Sequence, residues 1–207
     1  LQVKGPETAT PLYPLDAPAL NYRLPEFGLT IGYRPTEFTQ VNAGVNRVLV
    51  RRAIQMLDPR PGEKVVDLFC GLGNFTLPLT RRAAEVTGVE GDAGLVSRAA
   101  SNAARQGIGN VSYRVADLAS PALDAPWATR PYDRVLLDPP RAGAREALPV
   151  VGGCGAKRVV YISCHPGSLA RDAGILVRDH GFRLVAAGVM DMFPHTTHVE
   201  AMAVFER

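Results

Sequence analysis

The chain is poor in cysteine and tryptophan, carries little net charge and contains no long apolar run. Its three cysteines, Cys70, Cys154 and Cys164, cannot all pair and show no CxxC metal spacing, which favours reduced thiols in the cytoplasm. Because we find neither a charged-then-apolar leader nor an apolar stretch of bilayer-spanning length, we expect neither secretion nor membrane association. A net charge of +3 permits a nucleic-acid partner without arguing for one.

The composition that remains is that of an ordinary globular domain. With 207 residues, the chain is long enough for one well-buried domain with an appended segment. Residues 1–21 hold Pro6, Pro11, Pro14 and Pro18, too many for a helix or a central strand, and are predicted to form a Pro-rich tail or linker. Residues 22–42 form a short, aromatic, β-rich lead-in, and residues 43–207 make up the main predicted domain.

Predicted strands and helices alternate along this main domain. Apolar periodicity predicts a first helix that ends at Asp58-Pro59. Strands are then predicted at 64–69, 85–90, 111–115, 132–138 and 158–163, with helices at 75–82, 93–106 and 169–180. The last two segments, 182–191 and 199–205, have no helix between them and should pair antiparallel. This α/β pattern predicts a mainly parallel, doubly wound sheet with a C-terminal antiparallel strand. The layout resembles the Rossmann-like class I S-adenosylmethionine-dependent methyltransferases.

A glycine turn follows the first strand of the sheet directly. Gly71 and Gly73 let the backbone approach a ligand without a Cβ in the way. Thr76 stands where a dinucleotide fingerprint has its third glycine, which weakens an oxidoreductase interpretation. Glu90 ends the second strand, where a carboxylate can accept hydrogen bonds from ribose hydroxyls, and Asp117 follows the third, placed for an adenine amino group. Each acid alone is more simply a solvated residue, but the ordered set favours a nucleotide site.

The fourth strand ends in Asp138-Pro-Pro-Arg141. A carboxylate at that strand tip could accept a hydrogen bond from a planar N–H such as a base edge. Enzymes that methylate amino groups carry a similar Asp-Pro-Pro but usually finish it with an aromatic ring that stacks on the base. Arg141 occupies that position, which counts against an exocyclic nitrogen as the target.

The fifth strand stops at Ser163-Cys164, with Pro166 and Gly167 immediately beyond. Cys164 therefore belongs at the strand edge where ligands bind in open α/β sheets, although a free cysteine is more often a buried packing residue. Glu200 interrupts the apolar last strand, where a carboxylate is unfavourable unless exposed or used. A thiol and a carboxylate together suit methylation at carbon 5 of uracil, with thiol addition at carbon 6 and proton removal by a base.

Five motifs in order resemble the RNA uracil-5-methyltransferases: Phe38-Thr-Gln-Val-Asn42, the Asp67–Asn74 loop, Asp138-Pro-Pro-Arg141, Ser163-Cys-His-Pro166 and His198-Val-Glu200. Three longer stretches, Gln40–Asn46, Asp67–Pro78 and Asp191–His195, are most similar to the branch that methylates a uracil of bacterial 23S ribosomal RNA. The resemblance implies Cys164 as nucleophile, Glu200 as base and Asp138 as the group that holds the ring. It also implies S-adenosylmethionine (SAM) as cofactor. The expected cofactor-binding residues, with the glycine turn included, are Gln40, Phe69, Gly71, Asn74, Glu90, Asp117 and Asp138.

The chain departs from that family in two respects. His165 stands where the family usually has Asn. The 23S branch also carries an N-terminal RNA-binding domain and a cysteine-held iron–sulfur cluster, which three scattered cysteines cannot supply. The chain begins at Leu1, and we expect a catalytic-domain fragment of a longer protein, with residues 22–42 as a remnant of a central domain.

The remaining expectations concern metals, partners and rival functions. His195 and His198 lack partners at ligand spacing, so no metal is expected. The expected partner is RNA, 23S rRNA above all, with no membrane contact, no obligatory protein partner, a monomeric state and a cytoplasmic location. Two rivals remain open: an amino-methyltransferase of DNA or RNA that uses Asp138-Pro-Pro, and a non-catalytic RNA-binding assembly module.

Overall fold

A computed structural model describes residues 8–207. The strands are β1 Asn21–Leu24, β2 Leu29–Gly32, β3 Lys64–Leu68, β4 Glu85–Glu90, β5 Val111–Val115, β6 Arg134–Leu137, β7 Arg158–Ser163, β8 Arg183–Met190 and β9 Glu200–Glu206. The helices are α1 Ala43–Leu57, α2 Thr76–Leu79, α3 Ala93–Ala104, α4 Leu148–Gly153 and α5 Pro166–Arg178. Of the predicted tail, residues 1–7 lie outside the described residues, and residues 9–20 form turns and bends without a helix or strand.

Seven strands form one sheet in the order β5-β4-β3-β6-β7-β9-β8. The strands from β5 to β7 pair in parallel, whereas β9 runs antiparallel to both of its neighbours, β7 and β8. The doubly wound Rossmann-like fold with a C-terminal antiparallel strand is therefore confirmed. Because β9 is reversed, its first residue lies at the edge of the sheet where the parallel strands end.

Hydrophobic side chains fill both faces of this sheet. On β3, Val65 belongs to the core on one side, which includes Leu49 of α1, and Val66 belongs to the core on the other side, which includes Leu176 of α5. A strand covered on both faces needs apolar side chains in both directions, which explains the continuous apolar runs in the sequence. None of the helices in residues 8–207 is long and apolar enough to cross a membrane.

Several element boundaries differ from the sequence prediction. Helix α5 begins at Pro166 rather than at residue 169, since proline is well tolerated in the first helical turn. Helix α2 is one short turn, Thr76–Leu79, and the segment after it continues as turns to residue 82. Strand β6 ends at Leu137, so Asp138 lies just beyond the last paired residue. Helix α4, Leu148–Gly153, was not predicted because Pro149 and two terminal glycines hide its helical pattern.

The hairpin of β1 and β2 closes through Gly28 at φ 64°, and it packs onto the same core as the first face of the sheet. Its docking onto α3 is specific: the Asn102 side chain accepts from the Gly32 N–H at 3.0 Å and donates to the Gly32 carbonyl at 3.1 Å. The division of the chain into a lead-in and a catalytic domain stays a prediction.

Gly88 on β4 makes room for the packing beneath the glycine turn. A Cβ on this residue would lie 2.8 Å from the Tyr113 ring and 2.9 Å from the Cys70 sulfur. We expect Gly88→Ala to lower the free energy of unfolding by about 1–3 kcal/mol, measured by urea denaturation, because the new methyl overpacks the core.

The matched control is Gly188→Ala on β8, where a Cβ meets nothing within 4 Å. That variant should be neutral or gain up to about 1 kcal/mol, since glycine weakens a strand interior. Equal stabilities for the two variants would contradict this account of the packing.

Candidate active site

A cavity of about 500 Å³ opens at the edge of the sheet where β3, β4, β6 and β7 end and β9 begins. Its wall includes loops that follow these strands, together with parts of the hairpin and of the segment before α1. The lining residues are Tyr22, Phe38, Thr39, Gln40, Phe69, Cys70, Gly71, Leu72, Asn74, Phe75, Glu90, Leu95, Asp138, Pro139, Pro140, Arg141, Cys164, Phe193 and Glu200. The fold thus brings five separate motifs of the sequence to one place.

The turn after β3 is built from residues in the left-handed region of backbone conformation. Phe69, Gly71 and Gly73 have φ values of 65°, 51° and 91°. The turn is closed by a hydrogen bond from the Gly73 N–H to the Cys70 carbonyl at 2.9 Å. A positive φ is unusual for phenylalanine, and here it accompanies a ring that lines the cavity.

Asp67 lies fully buried beneath this turn. Thr76 donates its hydroxyl to one carboxyl oxygen of Asp67 at 2.5 Å, and the other oxygen has no partner among residues 8–207. Burial raises the pKa of Asp67 to about 8, against the opposing effect of the Thr76 hydrogen bond. In the sequence, Thr76 served only to argue against a dinucleotide fingerprint. In the structure, its hydrogen bond to Asp67 supports the glycine turn.

Glu90 is oriented by three backbone N–H groups. One carboxylate oxygen accepts from Gly71 at 3.1 Å, and the other accepts from Gly91 at 2.8 Å and from Asp92 at 3.1 Å. These bonds tie the end of β4 to the glycine turn and leave the carboxylate on the cavity wall.

The structure places most of the predicted cofactor-binding residues on this wall. Gln40, Phe69, Gly71, Asn74, Glu90 and Asp138 all line the cavity. Asp117 does not: it is exposed beyond the end of β5, where its side chain accepts a hydrogen bond from the Ala119 N–H at 2.9 Å. A contact between Asp117 and an adenine ring stays a prediction.

Cys164 and Glu200 are brought together by the pairing of β7 with β9. Ser163, the last residue of β7, pairs with Ala201, so Cys164, the next residue along the chain, lies just beyond its strand beside Glu200, the first residue of β9. Asp138 follows β6, the other neighbour of β7. All three side chains line the cavity, and the predicted catalytic residues therefore share one site.

The electrostatics of these three residues favour their neutral forms. Burial raises the pKa of Glu200, which is only 3% exposed, to about 7, and the nearby Asp138 contributes. Burial likewise raises the pKa of Asp138 to about 7. The pKa of the Cys164 thiol is raised by burial and then by the charges of Glu200 and Asp138, while the Arg141 guanidinium opposes these effects.

Arg141 has a definite place in the site. Its guanidinium lies 3.0 Å from Nδ1 of His198, and the residue lines the cavity beside Cys164. In the sequence, Arg141 served as an argument against an exocyclic nitrogen as the target. The structure instead makes it the cation that faces the thiol, on a loop whose two prolines restrict its movement.

The loop that bears Arg141 is held by Asp172, a fully buried residue of α5 that the sequence analysis missed. Its carboxylate accepts from the Ala144 N–H at 2.7 Å, from the Tyr161 hydroxyl at 2.6 Å and from Arg171 Nε at 2.8 Å. Arg171 also donates to the Ala142 carbonyl at 2.7 Å. An acid in an amphipathic helix resembles a solvated residue, so only the tertiary contacts reveal this role.

The cavity also includes aromatic residues that were not proposed as site residues. Phe38 is 70% exposed at its mouth, and Tyr22 and Phe193 are part of its wall. Phe38 could have been found from its place in the Phe38–Asn42 motif, whereas nothing local marks Tyr22. Among residues 8–207, no cluster of histidine, cysteine and acidic side chains is placed to hold a metal ion.

These features define a class: a Rossmann-like methyltransferase domain with a glycine turn, strand-tip acids and a cysteine at the target side. The particular family follows from comparison with known proteins. The family model described as tRNA (uracil-5-)-methyltransferase matches residues 15–130 and 128–207, and the chain belongs to this family. The resemblance read from the five motifs is thereby confirmed.

Individual relatives agree with this assignment. The chain is 57% identical over 207 residues to a protein of Methylococcus capsulatus named 23S rRNA (uracil(1939)-C(5))-methyltransferase RlmD, covering 100% of the chain and 47% of the relative. It is 61% identical over 188 residues to a protein of the same name from Alkalilimnicola ehrlichii, covering 91% and 42%. The chain thus spans less than half the length of these relatives.

A solved structure shows the same fold. It is that of the Pyrococcus abyssi tRNA (uracil-54, C5)-methyltransferase in complex with S-adenosyl-L-homocysteine, with a TM-score of 0.76 and 27% sequence identity. The match covers 90% of this chain and 44% of that one.

The departure at His165 has a structural explanation. His165 is the N-cap residue of α5, and its ring Nδ1 accepts a hydrogen bond from the Ser168 N–H at 3.1 Å. An asparagine side chain offers an oxygen acceptor that can cap a helix in the same way, so the exchange preserves the cap. The acceptor role also requires that Nδ1 carry no proton.

We therefore expect His165→Asn to keep both stability and cofactor affinity. His165→Ala, which removes the acceptor, should lower the free energy of unfolding by about 0.5–2 kcal/mol. Thermal denaturation of the two variants beside the parent protein measures the difference. If Asn destabilises as much as Ala, capping is not what the His165 side chain contributes.

Proposed function

We propose that this chain binds S-adenosylmethionine and transfers its methyl group to carbon 5 of a uracil in RNA, with 23S rRNA as the substrate. The observation that supports this most directly is the placement of Cys164 and Glu200 side by side at the cavity, with Asp138 on the neighbouring strand end. The names of the relatives favour 23S rRNA over tRNA.

The residues of the cavity fit this cofactor. Its wall combines an oriented carboxylate on Glu90, the Asn74 amide and apolar side chains such as Phe69 and Leu95, and it offers carboxyl groups rather than a phosphate-binding fingerprint. Carboxylates suit a cationic sulfonium and ribose hydroxyls, while apolar walls suit an adenine ring. When bound, S-adenosylmethionine supplies an electrophilic methyl group.

Cys164 performs the first step. Its thiolate adds to carbon 6 of uracil, a sulfur–carbon bond forms, and the electrons of the carbon 5–carbon 6 double bond move onto the carbonyl oxygen at carbon 4. The resulting enolate makes carbon 5 nucleophilic, which uracil alone does not provide. The Arg141 cation favours the thiolate form against the burial and the acidic neighbours that oppose it.

Glu200 completes the reaction. Once carbon 5 holds a methyl group, the Glu200 carboxylate removes the proton that remains on that carbon, the ring double bond re-forms, and the Cys164 thiolate leaves. A carboxylate with its pKa raised to about 7 is a stronger base than an ordinary glutamate and is still ionised in part at neutral pH. Asp138, at the end of β6, is the group we propose to hold the ring.

The monomeric state and the cytoplasmic location remain predictions from the sequence. Both fit an enzyme that acts on ribosomal RNA. The absence of an obligatory protein partner is likewise a prediction from the sequence. The iron–sulfur cluster expected in longer relatives has no role in the steps above, which use Cys164 alone among the three free cysteines.

Replacement of the target proton by fluorine tests the covalent mechanism. Fluorine at carbon 5 cannot leave as a proton does, so 23S rRNA segments made with 5-fluorouridine should form a lasting adduct with Cys164 in the presence of S-adenosylmethionine. Peptide mass spectrometry locates the modified residue. Cys164→Ala should abolish the adduct and methyl transfer, and Cys154→Ala, at a buried cysteine outside the cavity, should retain both.

Two results would contradict the proposal. Methyl transfer by Cys164→Ala would favour the amino-methyltransferase, which needs no nucleophile. Failure of the well-folded parent protein to bind S-adenosylmethionine in isothermal titration would favour the non-catalytic RNA-binding module.

Glu200 gives the reaction a defined pH dependence. Its active form is the carboxylate, and its pKa is raised to about 7, so the rate of product release should fall as the pH drops from 8 to 6, through about 7. The raised pKa of the Cys164 thiol acts in the same direction, because the thiolate also requires higher pH. Single-turnover rates across this range measure the profile.

With Glu200→Gln, the methylated adduct should accumulate on ordinary, unfluorinated RNA, because the proton at carbon 5 has no base to accept it. The matched control is Glu206→Gln at the opposite end of β9, where the carboxylate pairs with Arg158 and Arg183 instead of facing the cavity. Normal turnover by Glu200→Gln would assign the base to another residue.

A further inference from the structure

Asn74 lies on the cavity wall, and residues of two other elements hold its side chain. The Tyr22 hydroxyl of β1 donates to Oδ1 of Asn74 at 2.9 Å. Asn46 of α1 forms a reciprocal amide pair with it: Asn46 Nδ2 donates to Asn74 Oδ1 at 3.0 Å, and Asn74 Nδ2 donates to Asn46 Oδ1 at 2.9 Å. The hairpin, the first helix and the glycine turn therefore meet at one amide.

These contacts decide what Asn74 can offer to a ligand. A side-chain amide has two acceptor sites on its oxygen and two N–H groups. Tyr22 and Asn46 occupy both acceptor sites of Asn74, and Asn46 takes one N–H. Within residues 8–207, one N–H of Asn74 is left without a partner. Asn74 is thus limited to the role of a hydrogen-bond donor toward the cavity.

The partners of Asn74 are themselves held in place. Asn46 is 3% exposed and lies in α1, whose N-terminus is capped by the Asn42 side chain, which accepts from the Val45 N–H at 3.1 Å. Tyr22 packs at the edge of the core with its ring centroid 6.2 Å from that of Tyr33. Burial raises the pKa of the Tyr22 phenol, so its hydroxyl keeps the proton that it donates.

A fixed donor discriminates between the two charged groups of an amino acid. It can pair with a carboxylate, which only accepts, and it cannot pair with an ammonium group, which only donates. The methionine portion of S-adenosylmethionine carries one of each. If Asn74 were free to rotate by 180° about its terminal bond, it could serve either group, and the two partners prevent that rotation.

We propose that Tyr22 and Asn46 are positioning residues that fix the Asn74 amide as a donor to the carboxylate of the cofactor's methionine portion. The proposal rests on the proposed function, since it assumes that the cavity binds S-adenosylmethionine. It goes further by assigning a task in cofactor binding to a residue of the hairpin, 52 residues before Asn74. Tyr22 acts through Asn74, so its effect must disappear when Asn74 is changed.

The test compares two ligands that differ in the amino-acid portion. S-adenosylhomocysteine carries the carboxylate, and 5′-methylthioadenosine lacks the whole amino-acid end. We expect Tyr22→Phe, which removes only the hydroxyl, to bind S-adenosylhomocysteine about three- to tenfold more weakly in isothermal titration, as for the loss of one hydrogen bond. Its affinity for 5′-methylthioadenosine should stay within about twofold of the parent value.

Matched variants separate positioning from a general loss of structure. Tyr33→Phe removes a hydroxyl from the neighbouring ring, which holds no hydrogen bond to Asn74, and should leave both affinities unchanged. Asn46→Asp keeps the shape of the side chain but cannot donate to Asn74, and should weaken S-adenosylhomocysteine at least as much as Tyr22→Phe. In the background of Asn74→Ala, Tyr22→Phe should have no further effect.

The possible outcomes are distinct. Equal weakening of both ligands by Tyr22→Phe, or an undiminished effect in the Asn74→Ala background, would mean that Tyr22 merely stabilises the fold and would overturn the proposal. An unchanged affinity for S-adenosylhomocysteine would overturn it as well. Failure of the parent protein to bind either ligand would refute the proposed function itself, and with it this inference.

Discussion

The reversed strand β9 is the constraint on which the site depends. A parallel strand in its place would end at the cavity edge, whereas β9 begins there, so a residue 36 positions after Cys164 can stand beside it across the Ser163–Ala201 pair. The sheet thus places the proposed nucleophile and the proposed base at the ends of neighbouring strands. Since the strands are held by main-chain hydrogen bonds, the separation of the two groups follows from the register rather than from side-chain packing.

Burial of carboxyl groups at the cavity edge of the sheet lowers the stability of the folded protein near neutral pH but strengthens a carboxylate as a base. Burial raises the pKa values of Asp67, Asp138 and Glu200, so the folded protein keeps these carboxyl groups protonated at pH values where the unfolded chain would ionise them. The sign follows from the raised values: the folded protein holds these protons more tightly than the unfolded chain, and stability falls as pH rises toward neutrality. The same raised values make Glu200 a competent base.

Much of the fold could be predicted from the sequence because buried parallel strands are continuous apolar runs between turn residues. The candidate site could be predicted because the polar residues that line the cavity come at the ends of such runs, as Glu90, Asp138 and Cys164 do. Local patterns did not reveal Asp172 or Tyr22, since each acts through contacts with residues distant in the chain. Helix α4 was not predicted because its proline and glycines conceal a helical pattern. The capping role of His165 at α5 likewise depends on a contact that the residue type alone does not indicate.

The docking of the hairpin onto α3 joins residues 70 positions apart, and the same hairpin contributes Tyr22 to the cavity. Docking of the hairpin and ligand binding are therefore linked. If the docked hairpin adds free energy to ligand binding, a bound ligand stabilises the docked hairpin by the same amount. Closing so long a segment of chain costs entropy, and a filled cavity offsets part of that cost. The hairpin thus joins the core of the fold to the wall of the cavity.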